Sequence, residues 1–200
     1  MVNLTDIDIV RCVVLGDEEC GKELMMRKYA AFSGVPYFAD GRKIVTAFNG
    51  WKCVFVDSSS LEVNGSEPHV FLLCVSVASK TSVEEMANMI VDAVVERIRG
   101  KPFVLVGTQI EKRLSIINSS NLADTSCLPM SLNQAESFAR RIGASKYLEC
   151  SEVTGEGLDE VFEGAFEIGH KHALEQMRGL RRKISQLQDA PQRKPSCINQ

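Results

Sequence analysis

A short apolar run that ends in a glycine-rich loop constrains the fold of this chain more than any other feature. Residues 9–15 are mostly apolar and lead into GDEECGK at residues 16–22, which has the spacing Gly-x4-Gly-Lys. Such a run suits a buried strand, and the residues after it suit a helix over 23–32. A loop between a strand and a helix presents backbone N–H groups to an anion, and Lys22 can reach the same ligand. The segment therefore predicts a strand–loop–helix unit that binds phosphate.

Strand-like and helix-like segments alternate along the rest of the chain. Residues 43–48 and 51–56 flank Asn49-Gly50, which is a signal for a two-residue hairpin turn. Further apolar runs and helical spacings predict strands at 70–78, 103–106 and 146–150, and helices that open at the capping boxes Ser82–Glu85 and Ser131–Gln134 and near Leu158. This order predicts an α/β fold, a mostly parallel six-stranded sheet with helices on both faces. Phosphate ligands in such sheets lie where strands end and helices begin.

The composition fits one domain followed by a tail. The chain has 200 residues, a formal net charge of −3 and 44% hydrophobic residues, which predicts no nucleic-acid partner and no transmembrane span. We place the domain at residues 1–177, a polar insertion at about 112–130, and a basic, flexible tail at 178–200. The seven cysteines are widely spaced and include no CxxC pair. They favour free thiols in a reducing, cytoplasmic compartment.

Several motifs occur in the order in which one known family has them. After LGDEECGK come VFVDSSS, VFLLCVSV, KPFVLVGTQIEKR and IGASKYLECSEVTGEGLDEVF. The chain resembles the Rho branch of the Ras-like small GTPases over most of its length. The resemblance implies the P-loop GTPase architecture, with room at 112–130 for the extra helix of Rho proteins. It also implies GTP or GDP and Mg²⁺ as ligands, Rho-type effector and regulator proteins as partners, and signal transduction such as regulation of the cytoskeleton.

The resemblance assigns roles to three groups of residues. The phosphate-binding group is Gly16, Asp17, Glu18, Glu19, Cys20, Gly21, Lys22 and Glu23. The Mg²⁺ ligands implied are Glu23 and Asp57. The guanine-binding group is Thr108, Gln109, Glu111, Ser151 and Glu152.

Most of these positions depart from the family pattern. Glu23 replaces the hydroxyl residue that holds Mg²⁺, and Glu18 replaces a glycine beside the γ-phosphate. Ser60 replaces the glycine that senses the γ-phosphate. Leu61 occupies the position of the glutamine that orients the attacking water, so no catalytic residue is assigned. Both switch segments are also shorter than in the family, which weakens nucleotide gating.

The carboxylates of the loop have two possible orientations. A charge about 4 Å from a phosphate costs on the order of 1 kcal/mol in bulk water and about 4 kcal/mol near a protein surface. If Glu18 and Glu19 face solvent instead, screening leaves little of this penalty. Base recognition changes as well, since Gln109 and Glu111 stand where a lysine and an aspartate recognise guanine, and Glu152 replaces an alanine.

The C-terminal tail combines a basic run with the spacing of a CaaX box. The basic residues are Arg178, Arg181, Arg182, Lys183, Arg193 and Lys194. Cys197 begins the final four residues, and prenylation there with a polybasic segment is a two-signal membrane anchor. This predicts attachment to the cytoplasmic face of the plasma membrane or of endomembranes. The alternative is an unmodified tail in solvent.

Three functions agree with these residues. The first is an atypical Rho-like protein in signalling with little or no GTP hydrolysis, either locked in a GTP-bound state or free of nucleotide. The second is a working GTP-binding switch in which Glu23 takes Mg²⁺ and Glu111 takes guanine. The third, a P-loop kinase of small substrates, lacks a recognisable lid and acceptor site. The substitutions favour the first.

Overall fold

The computed structural model describes residues 9–40, 42–57, 67–78, 100–113 and 131–188, together with residues 85, 88 and 98. Its elements in chain order are β1 (Ile9–Leu15), α1 (Lys22–Phe32), β2 (Tyr37–Phe38), β3 (Lys43–Phe48), β4 (Trp51–Asp57), β5 (Val70–Ser76), β6 (Phe103–Thr108), α2 (Leu132–Arg141), β7 (Lys146–Glu149) and α3 (Leu158–Gln188). The predicted helix that opens at Ser82 and most of the 112–130 insertion lie outside the described residues.

The strands form one sheet in the order β2-β3-β4-β1-β5-β6-β7. β4, β1, β5, β6 and β7 are parallel, whereas β3 is antiparallel to both β4 and β2. The mostly parallel sheet predicted from the sequence is confirmed. The edge strand β2 is an addition to the six predicted strands, and two residues are too few to produce an alternating pattern.

Core residues cover both faces of this sheet. Along β1, Val10, Cys12 and Val14 pack in the cluster that includes α1 and α3. Val13 and Leu15 pack in the other cluster, which includes α2. Successive strand residues point to opposite faces, so a nearly continuous apolar run is what a sheet covered by helices on both faces requires. Five cysteines in the described ranges are free thiols, and all five are buried.

The hairpin of β3 and β4 brings two charged residues together beside the phosphate loop. Asn49 and Gly50 have φ values of 50° and 81°, as a type I′ turn needs. The turn sets a register in which the Asp57 N–H donates to the Arg42 carbonyl oxygen at 3.0 Å. Asp57 also lies opposite Val14 in the parallel pair of β1 and β4. The end of β4 therefore lies next to the start of the loop.

The helix α3 continues past residue 177, where we placed the end of the domain. It runs from Leu158 to Gln188, so residues 178–188 of the expected tail are helical. Ala173 is the last residue of α3 that is counted in the core. No helix in the described ranges has the length and the apolar character needed to cross a bilayer.

His69 joins β1 to the start of β5 and makes stability depend on pH. The Arg11 N–H donates to His69 Nδ1 at 3.0 Å, and the His69 N–H donates to the Arg11 carbonyl oxygen at 2.8 Å. Burial and the nearby Arg11 lower the pKa of His69 from 6.5 to about 4. The folded state therefore holds the neutral ring, while the unfolded chain takes up a proton below pH 6.5.

We expect the contribution of His69 to the free energy of unfolding to be fully present at neutral pH. It should fall as the pH drops from about 6.5 towards 4. After allowance for partial exposure of the ring, the loss is about 1–2 kcal/mol. Urea unfolding at pH 7 and at pH 5 measures it. His69→Asn keeps an acceptor for the Arg11 N–H but does not titrate, so it should lose this part of the pH dependence. An identical dependence in both proteins would assign it to other groups.

Candidate functional site

The loop between β1 and α1 joins a strand to a helix, as the sequence predicted. Gly16 has a φ of 151°, and a Cβ there would lie 2.7 Å from the Cys74 carbonyl oxygen, so the position requires glycine. The Cys20 N–H donates to the Asp17 carboxylate at 2.7 Å and closes the loop. Lys22 Nζ donates to the Asp17 carbonyl oxygen at 3.1 Å, and only 5% of Lys22 is exposed. The loop is held by its own polar groups.

The acidic side chains of the loop are exposed to solvent. Asp17, Glu18 and Glu19 are all exposed. Glu19 takes part in the site through its backbone, since its carbonyl oxygen accepts from Gln109 Nε2 at 2.9 Å. Glu18 lines the cavity next to the loop. Because exposed charges are screened, most of the repulsion considered for this loop is avoided, and Glu18 is the carboxylate of the three that faces the cavity.

A cavity of about 510 Å³ opens between the loop, α1 and the end of β4. Its lining comprises Glu18, Gly21, Lys22, Glu23, Leu24, Arg27, Arg42 and Asp57. Three of these side chains are cations and three are carboxylates. The formal charges of the lining therefore balance. Which of these side chains pair with one another decides whether the cavity attracts anions or cations.

Glu23 is paired with a residue one helical turn further along α1. Its Oε1 lies 2.8 Å from Arg27 Nη2 and accepts from Arg27 Nε at 3.0 Å. Such an exposed i,i+4 pair contributes only about 0.3–0.5 kcal/mol. It turns the carboxylate towards Arg27, so that the Mg²⁺ role implied by the resemblance would require Glu23 to leave this pair.

Asp57 has a cation near each of its carboxylate oxygens. The residue is completely buried; Oδ1 lies 4.0 Å from Lys22 Nζ, and Oδ2 lies 3.8 Å from Arg42 Nη1. Sequence reasoning missed Arg42. Counting outwards from the Asn49-Gly50 turn, with Lys43 opposite Val56, would have placed it beside Asp57.

Thr108 and Gln109 tie the phosphate loop to the end of β6. The Thr108 hydroxyl donates to the Cys20 carbonyl oxygen at 2.6 Å, and Gln109 donates to Glu19 as described above. Gln109 Oε1 accepts from Ser76 Oγ at 2.7 Å and from Lys112 Nζ at 3.0 Å. Both side-chain groups of Gln109 are therefore engaged within the protein.

Glu152 is buried between the phosphate loop and Gln109. Only 4% of Glu152 is exposed, and its Oε2 accepts from the Gln109 N–H at 3.2 Å. A Cβ on Gly21 would lie 2.6 Å from Glu152 Oε1. Burial raises the pKa of Glu152, and the nearby Glu111 carboxylate raises it further. The carboxylate thus lies where the loop and the predicted guanine-binding residues meet.

Ser151 and Glu111 are brought together as a pair. The Ser151 hydroxyl donates to Glu111 Oε2 at 2.6 Å and accepts from the N–H groups of Val153 and Thr154 at 3.2 and 3.0 Å. Glu111 Oε1 is buried and has no hydrogen-bond partner among the described residues. A buried acceptor in that state is costly, so this oxygen is available to accept from a ligand or from water.

Comparison with known families agrees with the fold and covers the loops that follow β6 and β7. A sequence model described as the Ras family matches residues 59–172, which is more than half of the chain. The chain belongs to the Ras family of small GTPases. Proteins of this family bind GTP or GDP with Mg²⁺ and interact with effectors and regulators. The match begins after Asp57, so the assignment of the phosphate loop in this small GTPase depends on its position between β1 and α1.

The residues of this small GTPase do not fit the Mg²⁺ that the family implies. Mg²⁺ requires oxygen ligands at about 2.0–2.1 Å in a nearly octahedral arrangement. Glu23 is held by Arg27, and Asp57 is flanked by Lys22 and Arg42. The positions implied for hydrolysis, residues 60 and 61, lie outside the described residues.

Proposed function

We propose that this small GTPase has lost both tight guanine-nucleotide binding and GTP hydrolysis, and that it serves in signalling as a protein-interaction module. One observation carries the proposal, the burial of the Glu152 carboxylate between Gly21 and Gln109. In the family, guanine lies beside the residue at the position of Gln109. The Glu152 carboxylate beside Gln109 would repel the O6 carbonyl of the base. Moving this carboxylate away would break the hydrogen bond that it accepts from the Gln109 N–H.

The expected energetic cost of placing guanine beside Glu152 is large enough to weaken nucleotide binding in a family whose function depends on bound nucleotide. Leaving a buried polar group without its partner costs about 1–3 kcal/mol, and more for a charged group. That corresponds to roughly a 5- to 150-fold loss of affinity. Hydrolysis is opposed separately, because Leu61 has no group that can hydrogen-bond to water.

We assign the protein to the Rho branch on its sequence motifs. The IGASKYLECS segment is the most Rho-like stretch, and the interval at 112–130 has room for the extra Rho helix. Rho-type effectors or regulators, including those that act on the cytoskeleton, are the partners that this assignment implies. Shortened switch segments support a surface that does not change with the nucleotide.

The nucleotide content of the purified protein tests this function. The protein is denatured and the released nucleotide is separated by anion-exchange chromatography. We expect far less than one guanine nucleotide per protein molecule. Stoichiometric GDP would contradict the proposal. Stoichiometric GTP that is not hydrolysed would support a switch locked in the GTP-bound state, and it would contradict the proposal that Glu152 prevents tight nucleotide binding.

A working switch is a second candidate, favoured by Glu111. Its Oε2 is held by Ser151 while its buried Oε1 has no hydrogen-bond partner among the described residues. The N1–H and N2–H groups of guanine are donors that such a carboxylate accepts. In a working switch, Glu111→Gln should weaken GDP binding at least tenfold. Under the first function, the same substitution should leave an already weak affinity nearly unchanged.

We further propose that the tail attaches the protein to the cytoplasmic face of the plasma membrane or of endomembranes. The basic residues at 178 and 181–183 are exposed on α3, and each basic residue near an anionic surface contributes about 1 kcal/mol. Prenylation of Cys197 would supply the second signal. Cys197→Ser should move most of the protein from the membrane to the soluble fraction. The control is Cys127→Ser, which leaves the C-terminal box intact; an unchanged distribution of Cys197→Ser would contradict lipid attachment.

A further inference from the structure

We propose that Arg42 takes the place of a divalent cation in the phosphate cavity, so that the site binds a phosphate-bearing anion without Mg²⁺. The inference deepens the proposed function and rests on it, because a conventional GTPase needs Asp57 for its metal. The ligand class is a mono- or diphosphate group. The family's metal-dependent triphosphate site is thereby replaced by a site that uses the protein's own cation.

The position of Arg42 is built into the β3–β4 hairpin. The Asp57 N–H donates to the Arg42 carbonyl oxygen, continuing the register that begins at the turn. Arg42 has a φ of 39°, which is a left-handed conformation that is uncommon outside glycine. Such residues persist where the surrounding structure holds them, and they concentrate at functional sites. The register therefore places this guanidinium in the cavity.

The guanidinium lies where it opposes metal binding. Nη1 of Arg42 is 3.8 Å from Asp57 Oδ2, and Lys22 Nζ is 4.0 Å from Oδ1. The lysine of a phosphate loop is compatible with Mg²⁺, but a Mg²⁺ ion bound to Oδ2 would lie within a few ångströms of the Arg42 guanidinium and would be repelled by it. With Glu23 held by Arg27, the second implied ligand is engaged as well.

The same cations suit a phosphate. A guanidinium presents N–H groups that match phosphate oxygens in pairs, and a lysine acts as a point charge. Gly21 at the N-terminus of α1 lines the cavity with Lys22 and Arg42, and N–H groups at a helix start favour anions. The three carboxylates of the lining oppose each additional negative charge, which favours a mono- or diphosphate over a metal-free triphosphate. A volume of about 510 Å³ readily accommodates a diphosphate.

Two probes test the inference on the full-length protein. The first is Mg²⁺ alone in a thermal-shift measurement, in which we expect no stabilisation of the wild type. Arg42→Ala should become stabilised by Mg²⁺, because Asp57 is then approachable. The second probe is pyrophosphate titrated calorimetrically in EDTA, where we expect binding that Arg42→Ala weakens by about tenfold.

Matched variants keep the test decisive. Lys43→Ala removes the exposed neighbouring cation on β3 and should change pyrophosphate affinity less than twofold. If Arg42→Ala does not fold, Arg42→Lys keeps the charge and should keep metal-free binding with reduced affinity. Mg²⁺ stabilisation of the wild type, pyrophosphate binding only with Mg²⁺, or no binding would each overturn the inference. Guanine nucleotide that co-purifies and stays bound in EDTA would overturn the proposed function and still support Arg42 as the resident cation.

Discussion

Replacing Glu152 by alanine should raise the affinity for GDP by about 10- to 100-fold. The substitution removes a buried carboxylate from the junction of Gly21 and Gln109, and with it the proposed conflict, electrostatic and steric, between this side chain and the guanine base. Each tenfold gain corresponds to about 1.4 kcal/mol, within the range for relief of a buried, mismatched polar contact. Titration of a fluorescent GDP analogue into nucleotide-free protein measures the change.

Two further variants separate the causes of this gain. Glu152→Gln keeps the volume and removes the charge, so it should recover most of the gain if repulsion dominates and little of it if steric conflict dominates. Glu156→Ala removes an exposed carboxylate from the same loop and should have no effect. If Glu152→Ala binds GDP no better than the wild type, the lost affinity has its origin elsewhere, and the combined change of Gln109→Lys and Glu111→Asp becomes the next test.

Replacing Phe162 by alanine should lower the free energy of unfolding by about 3–5 kcal/mol. Phe162 is completely buried, and its ring stacks on Tyr29 of α1 with centroids 3.8 Å apart. It also meets Phe55 of β4 edge-on at 4.7 Å. The loss therefore combines a cavity with the loss of two ring contacts.

Denaturant unfolding and calorimetry measure this loss, and for a chain of this length we expect the Tm to fall by roughly 6–20 °C. Phe32→Ala is the control, because 65% of Phe32 is exposed and truncation there should cost less than about 1 kcal/mol. Equal losses for the two variants would mean that α1, which carries Lys22, is not held by the Phe162 contacts.

The sheet and the hairpin could be predicted because their signals are local. Asn49-Gly50 and the apolar runs on either side of it specify the turn and the strands. The capping box at α2 is likewise local, and the Ser131 N–H does donate to Gln134 Oε1 at 3.1 Å. The end of α3 was less apparent, since most of the described side chains after Ala173 are exposed and their sequence does not mark where the helix ends.

The state of the site could be predicted only in part, since it depends on residues distant in sequence. The sequence identified Glu152 as a substitution, but its burial depends on Gly21 and Gln109, which lie on two other loops. Glu23 has its partner four residues later, so helical spacing alone could have indicated its pairing with Arg27. The exposure of Glu18 and Glu19 follows from how the loop folds on Asp17 and Cys20, which no local pattern reveals.

Calorimetric titration of GDP with Mg²⁺ into the nucleotide-free wild-type protein tests the proposed loss of the nucleotide switch most directly. We expect a dissociation constant weaker than about 1 μM, unchanged when Mg²⁺ is replaced by EDTA, because Glu152 opposes the base and Arg42 stands beside Asp57. A nanomolar dissociation constant that rises sharply in EDTA would contradict both, and would show that this small GTPase retains a conventional metal-dependent nucleotide site.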